Sequence, residues 1–199
     1  MFPIFLKLDG RRCLVVGAGK VAEGKILGLL EAGACVDVVA PEAVPQVKTW
    51  ASEGAVNWKP RKFEPSDLNR ASLVIAATSS FEVNSEVFRQ ARLRNVLCNS
   101  VDDPANCDFY YPAVVNRGDL QIAISTNGRS PALAQRLRQE LEVQFGPEYE
   151  AWVAELGAAR EQLCATSGDT EIRRKLLHEL ASPQAFVSRN TKAERERSH

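Results

Sequence analysis

The stretch Cys13-Leu-Val-Val-Gly-Ala-Gly-Lys-Val-Ala22 constrains this chain more than any other. An apolar run passes directly into two closely spaced glycines, and a helical pattern begins at once. A strand that must turn this tightly into a helix needs a residue without a Cβ at the turn, which Gly17 supplies, and Gly19 leaves the backbone open to close approach. The helix behind them presents free N–H groups and the positive end of its dipole, so the turn suits an anionic pyrophosphate. Ala22 stands where the third glycine of the usual fingerprint falls, and it is small enough for close helix–strand packing. A plain α/β turn is the alternative reading; the order strand, helix, second strand favours a dinucleotide site.

The rest of the first half repeats this grammar. Short runs rich in Val, Ile, Leu and Cys occur at Arg12–Val16, Cys35–Ala40, Val56–Lys59, Leu73–Ala77 and Val96–Val101. Helical patterns over Lys20–Ala32, Pro45–Ser52 and Phe81–Arg94 separate them. Such alternation predicts an α/β fold with a doubly wound parallel sheet up to about residue 111. The pattern then changes. Two alternating runs, Tyr111–Val115 and Leu120–Thr126, flank Asn116-Arg-Gly-Asp119 and predict an antiparallel hairpin. Its apolar residues are read as lying on both faces, Val114, Leu120, Ile122 and Ile124 on one and Ala113, Val115 and Ala123 on the other, so the ribbon needs covering. Either the chain's own helices or a second copy could do this, and a homodimer is favoured. Ser130-Pro131 supplies an N-cap and first-turn proline for a helix ending near Phe145. Two further helices are expected over Glu148–Ala165 and Asp169–Ala181. The charged stretch Ser188–His199 is read as disordered. The domain boundaries expected are 1–111, 112–146, 147–187 and 188–199.

The formal net charge of the 199 residues is zero, which gives no reason to expect a nucleic acid or an anionic membrane as partner. No apolar run approaches the length of a membrane span. The apolar start Met1–Leu8 is read as an edge strand, being too short for a signal peptide and without a cleavage site. Five scattered cysteines, Cys13, Cys35, Cys98, Cys107 and Cys164, are read as reduced, three of them in buried strands, which suits the cytoplasm.

Several residues are candidates for chemistry. Glu42, just past the second strand, is the nearest acid for the ribose hydroxyls, although it could simply begin the next helix. Asp37 is mid-strand. With no arginine directly after this strand, NAD is favoured over NADP. Asp102 ends the fifth strand, where a parallel sheet receives its ligands, and a carboxylate there can do acid–base work. An Asx turn before Pro104 is the competing reading, and Asp103 is the poorer candidate because it directly precedes that proline. Arg129, Arg136 and Arg138 could bind an acidic substrate, or form a solvated helix face paired with Glu140 and Glu142. The two histidines, His178 and His199, and the cysteines have no metal-ligand spacing, so no protein metal site is expected.

Taken together, Pro3-Ile-Phe-Leu6, Gly17-Ala-Gly-Lys-Val-Ala22, Ala76-Ala-Thr78 with Val83-Asn84, Cys98-Asn-Ser-Val-Asp102 and Ser130-Pro-Ala-Leu-Ala134 resemble the precorrin-2 dehydrogenase family, the dehydrogenase/ferrochelatase proteins of siroheme synthesis. The likeness runs over about residues 2–165. It implies a Rossmann domain, a dimerisation region interlocking two subunits and a small helical domain. It also implies NAD-dependent oxidation of precorrin-2 to sirohydrochlorin, followed in many members by insertion of ferrous iron. By the same resemblance Asp102 matches the catalytic aspartate, while Lys20, Val21, Pro41, Glu42, Thr78 and Asn84 match cofactor-contacting positions beside Gly17 and Gly19. Thr126 stands where other members have a serine, in the loop Ser125-Thr-Asn127-Gly128 that with Arg129 and Ser130 is expected to meet substrate. Two other classes stay open: an NAD-sensing regulatory module, and a dedicated tetrapyrrole chelatase with a vestigial nucleotide site, against which the intact Gly17 and Gly19 argue.

Overall fold

The computed structural model describes residues 1–166 and 168–197 of the chain. It divides into two compact units, Met1–Tyr110 and the residues from Tyr111 onward. The first unit runs β1 (Arg12–Val16), α1 (Lys20–Glu31), β2 (Cys35–Val39), α2 (Pro45–Ser52), β3 (Val56–Lys59), β4 (Leu73–Ala76), α3 (Phe81–Leu93) and β5 (Leu97–Ser100). The strands are parallel in the order β3-β2-β1-β4-β5. The order reverses between β1 and β4, the point at which open sheets of this kind bind ligands.

The central strands β1 and β4 are buried on both faces, which is why they read as nearly continuous apolar runs rather than alternating ones, whereas β2, β3 and β5 carry polar residues such as Asp37, Asn57 and Asn99. Cys13, Val15, Val36 and Ile75 face α1 and α2 together with Ala22, Ile26 and Leu29. Leu14, Val16, Val74, Ala76 and Cys98 face α3 with Val87 and Ala91. Among the five cysteines, all free, Cys13 and Cys98 are core residues whose thiols burial pushes up to about 11 and about 12. Cys35, expected inside, is exposed because it opens its strand at the rim. The start of the chain also departs from expectation. Residues 1–8 form no strand, and Phe2, Ile4, Phe5 and Leu6 are exposed, while Leu8 packs on the core. Pro3 lacks the N–H that a ladder would need.

Asp67 is the charged residue that the first unit buries most deeply. Its carboxylate accepts two bonds from the Arg61 guanidinium at 2.6 and 2.8 Å and one from the Glu64 N–H at 3.0 Å, with the Lys59 ammonium at 3.6 Å. Burial alone would raise its pKa, but the Arg61 bonds, the Glu64 N–H and the charges of Arg61 and Lys59 together hold it below the ordinary value. Asp67→Asn is expected to lower unfolding free energy by about 2 kcal/mol, less than a fully buried pair because Arg61 and Lys59 stay partly solvated. The folded carboxyl titrates below its unfolded value of about 4, so this stabilisation is complete above that value and lost as the pH falls through the folded one. Denaturant titrations should therefore separate wild type from Asp67→Asn at neutral pH and converge in acid.

The second unit runs β6 (Ala113–Arg117), β7 (Leu120–Ile124), α4 (Pro131–Gln144), α5 (Glu148–Thr166), α6 (Thr170–Leu180) and α7 (Pro183–Arg197). The expected hairpin forms, but its register corrects the expected faces. Ala113 pairs with Ile124, Val115 with Ile122 and Arg117 with Leu120, so these six share one face. That face meets α4 and α5, and Val115 is fully buried. Val114, Asn116, Gln121 and Ala123 form the other face, which is exposed within this chain. Arg117 ties the hairpin to α4 by donating to the carbonyls of Phe145 and Glu142 at 2.8 and 3.1 Å. The segments 112–146 and 147–187, separated in the sequence reading, contact one another within this one unit. The stretch expected to lack structure instead continues α7 to Arg197. Phe186 stacks against Tyr149 and Trp152, and Arg189 pairs with Glu155 at 2.6 Å, so α7 is anchored on α5. Ser198 and His199, at the end of that stretch, lie outside the described residues.

Candidate functional site

The glycine turn between β1 and α1 is locked to its neighbours by backbone contacts. Gly17 has φ +108°, and its N–H donates to the Val39 carbonyl at 2.9 Å. A Cβ at Gly17 would lie 2.3 Å from the Ala77 carbonyl oxygen, so the backbone leaving β4 passes directly over it. Gly19 is different. It caps α1 with φ −83°, and a Cβ there would meet nothing within 4 Å. Gly17 answers to packing, while Gly19 leaves open space at the helix N-terminus.

Along this turn lies a groove of about 740 Å³ bordered by Val16–Gly19, Val39–Glu42 and Ala77–Ser80. Its size is that of a cofactor site. Gly19, the N-cap of the 12-residue helix α1, borders it with its backbone unobstructed, and Pro41 and Glu42 border it past the end of β2. These features fit a dinucleotide. Asp37 is already committed: it accepts from Arg12 Nε at 2.9 Å and Asn57 Nδ2 at 3.1 Å.

The remaining expected cofactor positions separate into three kinds. Thr78 borders the groove directly. Asn84 lies behind it, buried, and clamps it: Asn84 Oδ1 accepts from Thr78 N at 3.1 Å and Thr78 Oγ1 at 2.7 Å, and Asn84 Nδ2 donates to the Thr78 carbonyl at 3.1 Å. Asn84 therefore acts through Thr78. Lys20 and Val21 are exposed on the first turn of α1 outside the groove lining, with Lys20 paired to Glu23 at 2.8 Å. Beside Ser80, Glu82 and Glu86 at the start of α3, none of them singled out from the sequence, two residues outside every expected element also border the groove, Lys62 and Phe63. They come from the irregular connection between β3 and β4, which carries no periodic signal. The Arg61–Asp67 bonds fix that connection in place.

Asp102 follows β5 at the same end of the sheet. It has φ +60°, in the left-handed region that only a few residue types tolerate. The loop bearing it is tied at both ends. Val101 N donates to the Ala76 carbonyl at 2.9 Å; Cys98 N donates to Asp108 Oδ2 at 3.0 Å, and Asn99 Nδ2 to the Phe109 carbonyl at 2.8 Å. Asp103 is a turn residue, its carboxylate taken by the Asn106 amide at 2.6 Å. Asp102 borders a smaller cavity of about 200 Å³ with Lys25, Val101, Cys107 and Tyr110. Lys25 was not singled out by the sequence. Its place three residues after buried Ala22 and four before buried Leu29, on the margin of the apolar stripe of α1, is the signal that could have found it.

The loop with Thr126, Asn127, Arg129 and Ser130 belongs to the second unit, between β7 and α4. Its polar groups shape the loop itself: Thr126 Oγ1 accepts from Ser130 N at 3.1 Å, Ser125 Oγ from Asn127 N at 3.1 Å, and Ser130 Oγ caps α4 by accepting from Leu133 N at 3.3 Å. Asn127 and Gly128 are both left-handed, and Arg129 is exposed. Arg136 and Arg138 pair with Glu140 and Glu142 along α4, as the solvated-face reading expected. Among the described residues no group of three or more His, Cys, Asp or Glu side chains could hold a metal ion, and no helix is long and apolar enough to cross a membrane.

Comparison with known proteins adds to this geometry. Residues 4–113 match the family described as "Putative NAD(P)-binding", and residues 117–144 match "Sirohaem biosynthesis protein central". A siroheme synthase of Acinetobacter baylyi is 47% identical over 143 residues, 71% of this chain and 31% of that protein. One from Methylobacillus flagellatus is 42% identical over 173 residues, 85% of this chain and 37% of that protein. The chain thus spans about a third of the length of the curated relatives it matches. The solved structure of "SirC, precorrin-2 dehydrogenase" aligns with TM-score 0.81 and 29% identity, covering 94% of this chain and 92% of that one.

Proposed function

Because the chain belongs to the family of sirohaem-biosynthesis proteins with an NAD(P)-binding domain, we propose that it is an NAD-dependent dehydrogenase that oxidises precorrin-2 to sirohydrochlorin. The observation that carries this reading is Asp102, a carboxylate in left-handed backbone at the end of the sheet that also bears the glycine-turn groove. When bound, NAD supplies the hydride acceptor. The first-turn amides of α1 and the open backbone at Gly19 hold its pyrophosphate, Glu42 takes the ribose hydroxyls beside Pro41, and Thr78, clamped by Asn84, borders the reacting end. Lys20 and Val21 contribute from the helix start. An Asp102 carboxylate oxygen accepts the proton that the macrocycle releases as conjugation extends. Thr126, Asn127, Arg129 and Ser130 are assigned to the acidic arms of the substrate, Arg129 supplying the charge. Ferrous iron enters only as a further substrate, for which Asp102 would accept a pyrrole N–H proton.

Anaerobic incubation with enzymatically generated precorrin-2 and NAD⁺ tests the reading. NADH and the sirohydrochlorin spectrum are expected together; NAD binding without turnover would favour a sensor, and product without NAD dependence a chelatase. Adding ferrous iron and watching for siroheme tests the second step.

The protein is assigned to the cytoplasm, a reading supported by its buried, unpaired thiols. It is assigned as a homodimer through the open face of the hairpin, where Val114 and Ala123 are exposed. Light scattering after size-exclusion chromatography should give twice the 21.9 kDa chain mass at micromolar concentration, and the chain mass alone would refute this assignment.

A further inference from the structure

The groove along the glycine turn carries two unspent charges of opposite sign. Four charged side chains border it, Glu42, Lys62, Glu82 and Glu86. The Glu82 carboxylate accepts from Ser80 Oγ at 2.7 Å, and that of Glu86 accepts from Arg89 Nε and Gln90 Nε2, both at 2.8 Å. Among the described residues, neither the Glu42 carboxylate nor the Lys62 ammonium takes part in a hydrogen bond or an ion pair, and both residues are exposed.

The fold brings the backbones of these two to one place. Strands β2 and β3 are parallel neighbours with Val39 opposite Lys59, and Ala40 N donates to the Lys59 carbonyl at 3.3 Å. Trp58 Nε1 closes the same junction by donating to the Ala40 carbonyl at 3.0 Å. Glu42 stands two residues beyond this junction on one strand exit, and Lys62 three residues beyond it on the other. The Lys62 carbonyl accepts from Arg61 Nη1 at 2.9 Å, and Asp67 holds that guanidinium in turn. Phe63 packs on the core cluster that contains Val16 and Val39, the last residues of β1 and β2. The Lys62 ammonium is therefore a flexible tip on an anchored stem.

We propose that Lys62 is a specificity-determining residue for the cofactor: its ammonium receives a phosphate on the 2′ position of the adenosine ribose, so the groove admits NADP as well as NAD. The proposal rests on reading the groove as the NAD site with Glu42 at the ribose. A carboxylate there accepts from the ribose hydroxyls and repels a 2′-phosphate, and the usual device for admitting that phosphate is a nearby cation. No arginine directly follows β2, but the fold supplies a cation from the connection after β3. A lysine meets a phosphate as a point charge and needs no bidentate geometry. Glu42 and Lys62 thus act on the same position with opposite sign.

The test titrates the full chain calorimetrically with NAD⁺ and with NADP⁺, comparing wild type with Lys62→Gln, Lys62→Arg, Glu42→Gln and the Glu42→Gln, Lys62→Gln double variant. Lys62→Gln is expected to lower the ratio of NADP⁺ to NAD⁺ affinity about tenfold, and Lys62→Arg to restore it. Glu42→Gln is expected to raise that ratio about tenfold, and the double variant to lose the gain. Melting temperatures report whether each variant is folded, and Lys62→Ala replaces Lys62→Gln if the latter is not. A wild type without measurable NADP⁺ binding, a ratio that ignores Lys62→Gln, or an arginine no better than glutamine overturns the proposal. If the folded chain binds neither nucleotide, the reading of the groove falls and the proposal with it. If NAD⁺ binds and precorrin-2 is oxidised while the ratio is indifferent to Lys62, the proposal alone falls.

Discussion

Asp102→Asn is expected to lower anaerobic NADH formation from precorrin-2 about a hundredfold or more, the usual contribution of a positioned general base. Asparagine keeps the shape of the side chain and tolerates the left-handed backbone that Asp102 adopts at φ +60°. The β5 loop should therefore fold as before, since its ties run through Val101, Cys98 and Asn99 rather than through the Asp102 side chain. A large loss of rate with an unchanged melting temperature and unchanged NAD affinity would locate the proton acceptor at this carboxylate. Turnover close to wild type would move that role elsewhere, to water or to another acid. Asp102→Ala is the weaker probe, because alanine is strained at a positive φ and mixes a folding cost into the rate.

Gly17→Ala should damage both the fold and the groove. The added Cβ would approach the Ala77 carbonyl oxygen to 2.3 Å and the Ala77 carbonyl carbon to 2.7 Å, and neither can yield as the tip of a flexible side chain would. The φ of +108° adds strain that only glycine escapes. Relief requires β1 and β4 to separate where their ends frame the groove. A cost of about 3 kcal/mol or more is expected, a drop in melting temperature of about 10 °C for a chain of this size. NAD affinity should fall with it. Gly19→Ala provides the contrast: at φ −83° with no atom within 4 Å, it should leave the melting temperature within about 2 °C while weakening NAD. Equal effects of the two substitutions on stability would contradict the separate roles assigned to these glycines.

Much of the fold was readable without coordinates because both faces of the first sheet are covered. A strand buried on both sides is apolar almost throughout, so β1 and β4 stand out against their flanking helices, and β2 does so despite Asp37. The groove was legible at Gly17, Gly19 and Glu42, which lie beside strands β1 and β2. Asn84 was legible only as a position: nothing in a linear pattern says that its amide clamps Thr78 from behind. The hairpin was foreseen, yet its faces were assigned wrongly, since pairing Val115 with Ile122 rather than Val114 depends on a two-residue turn at Gly118 and Asp119. A shift of one residue inverts every side chain. The helix α7 was missed because a charged segment gives no apolar stripe, while its anchor, Phe186 on Tyr149 and Trp152, comes from an earlier helix.

The amino-acid sequence by itself determined the strand–glycine–helix unit, the parallel sheet and the position of Asp102 at a strand end, because each follows from local periodicity and from backbone conformations that few residues can adopt. Only the tertiary structure decided that Lys25 from α1 shares a cavity with Asp102, that the Asp67-anchored connection brings Lys62 and Phe63 to the groove, and which hairpin face is covered. Those are contacts between residues far apart in the chain, and long-range packing sets them where no local preference can.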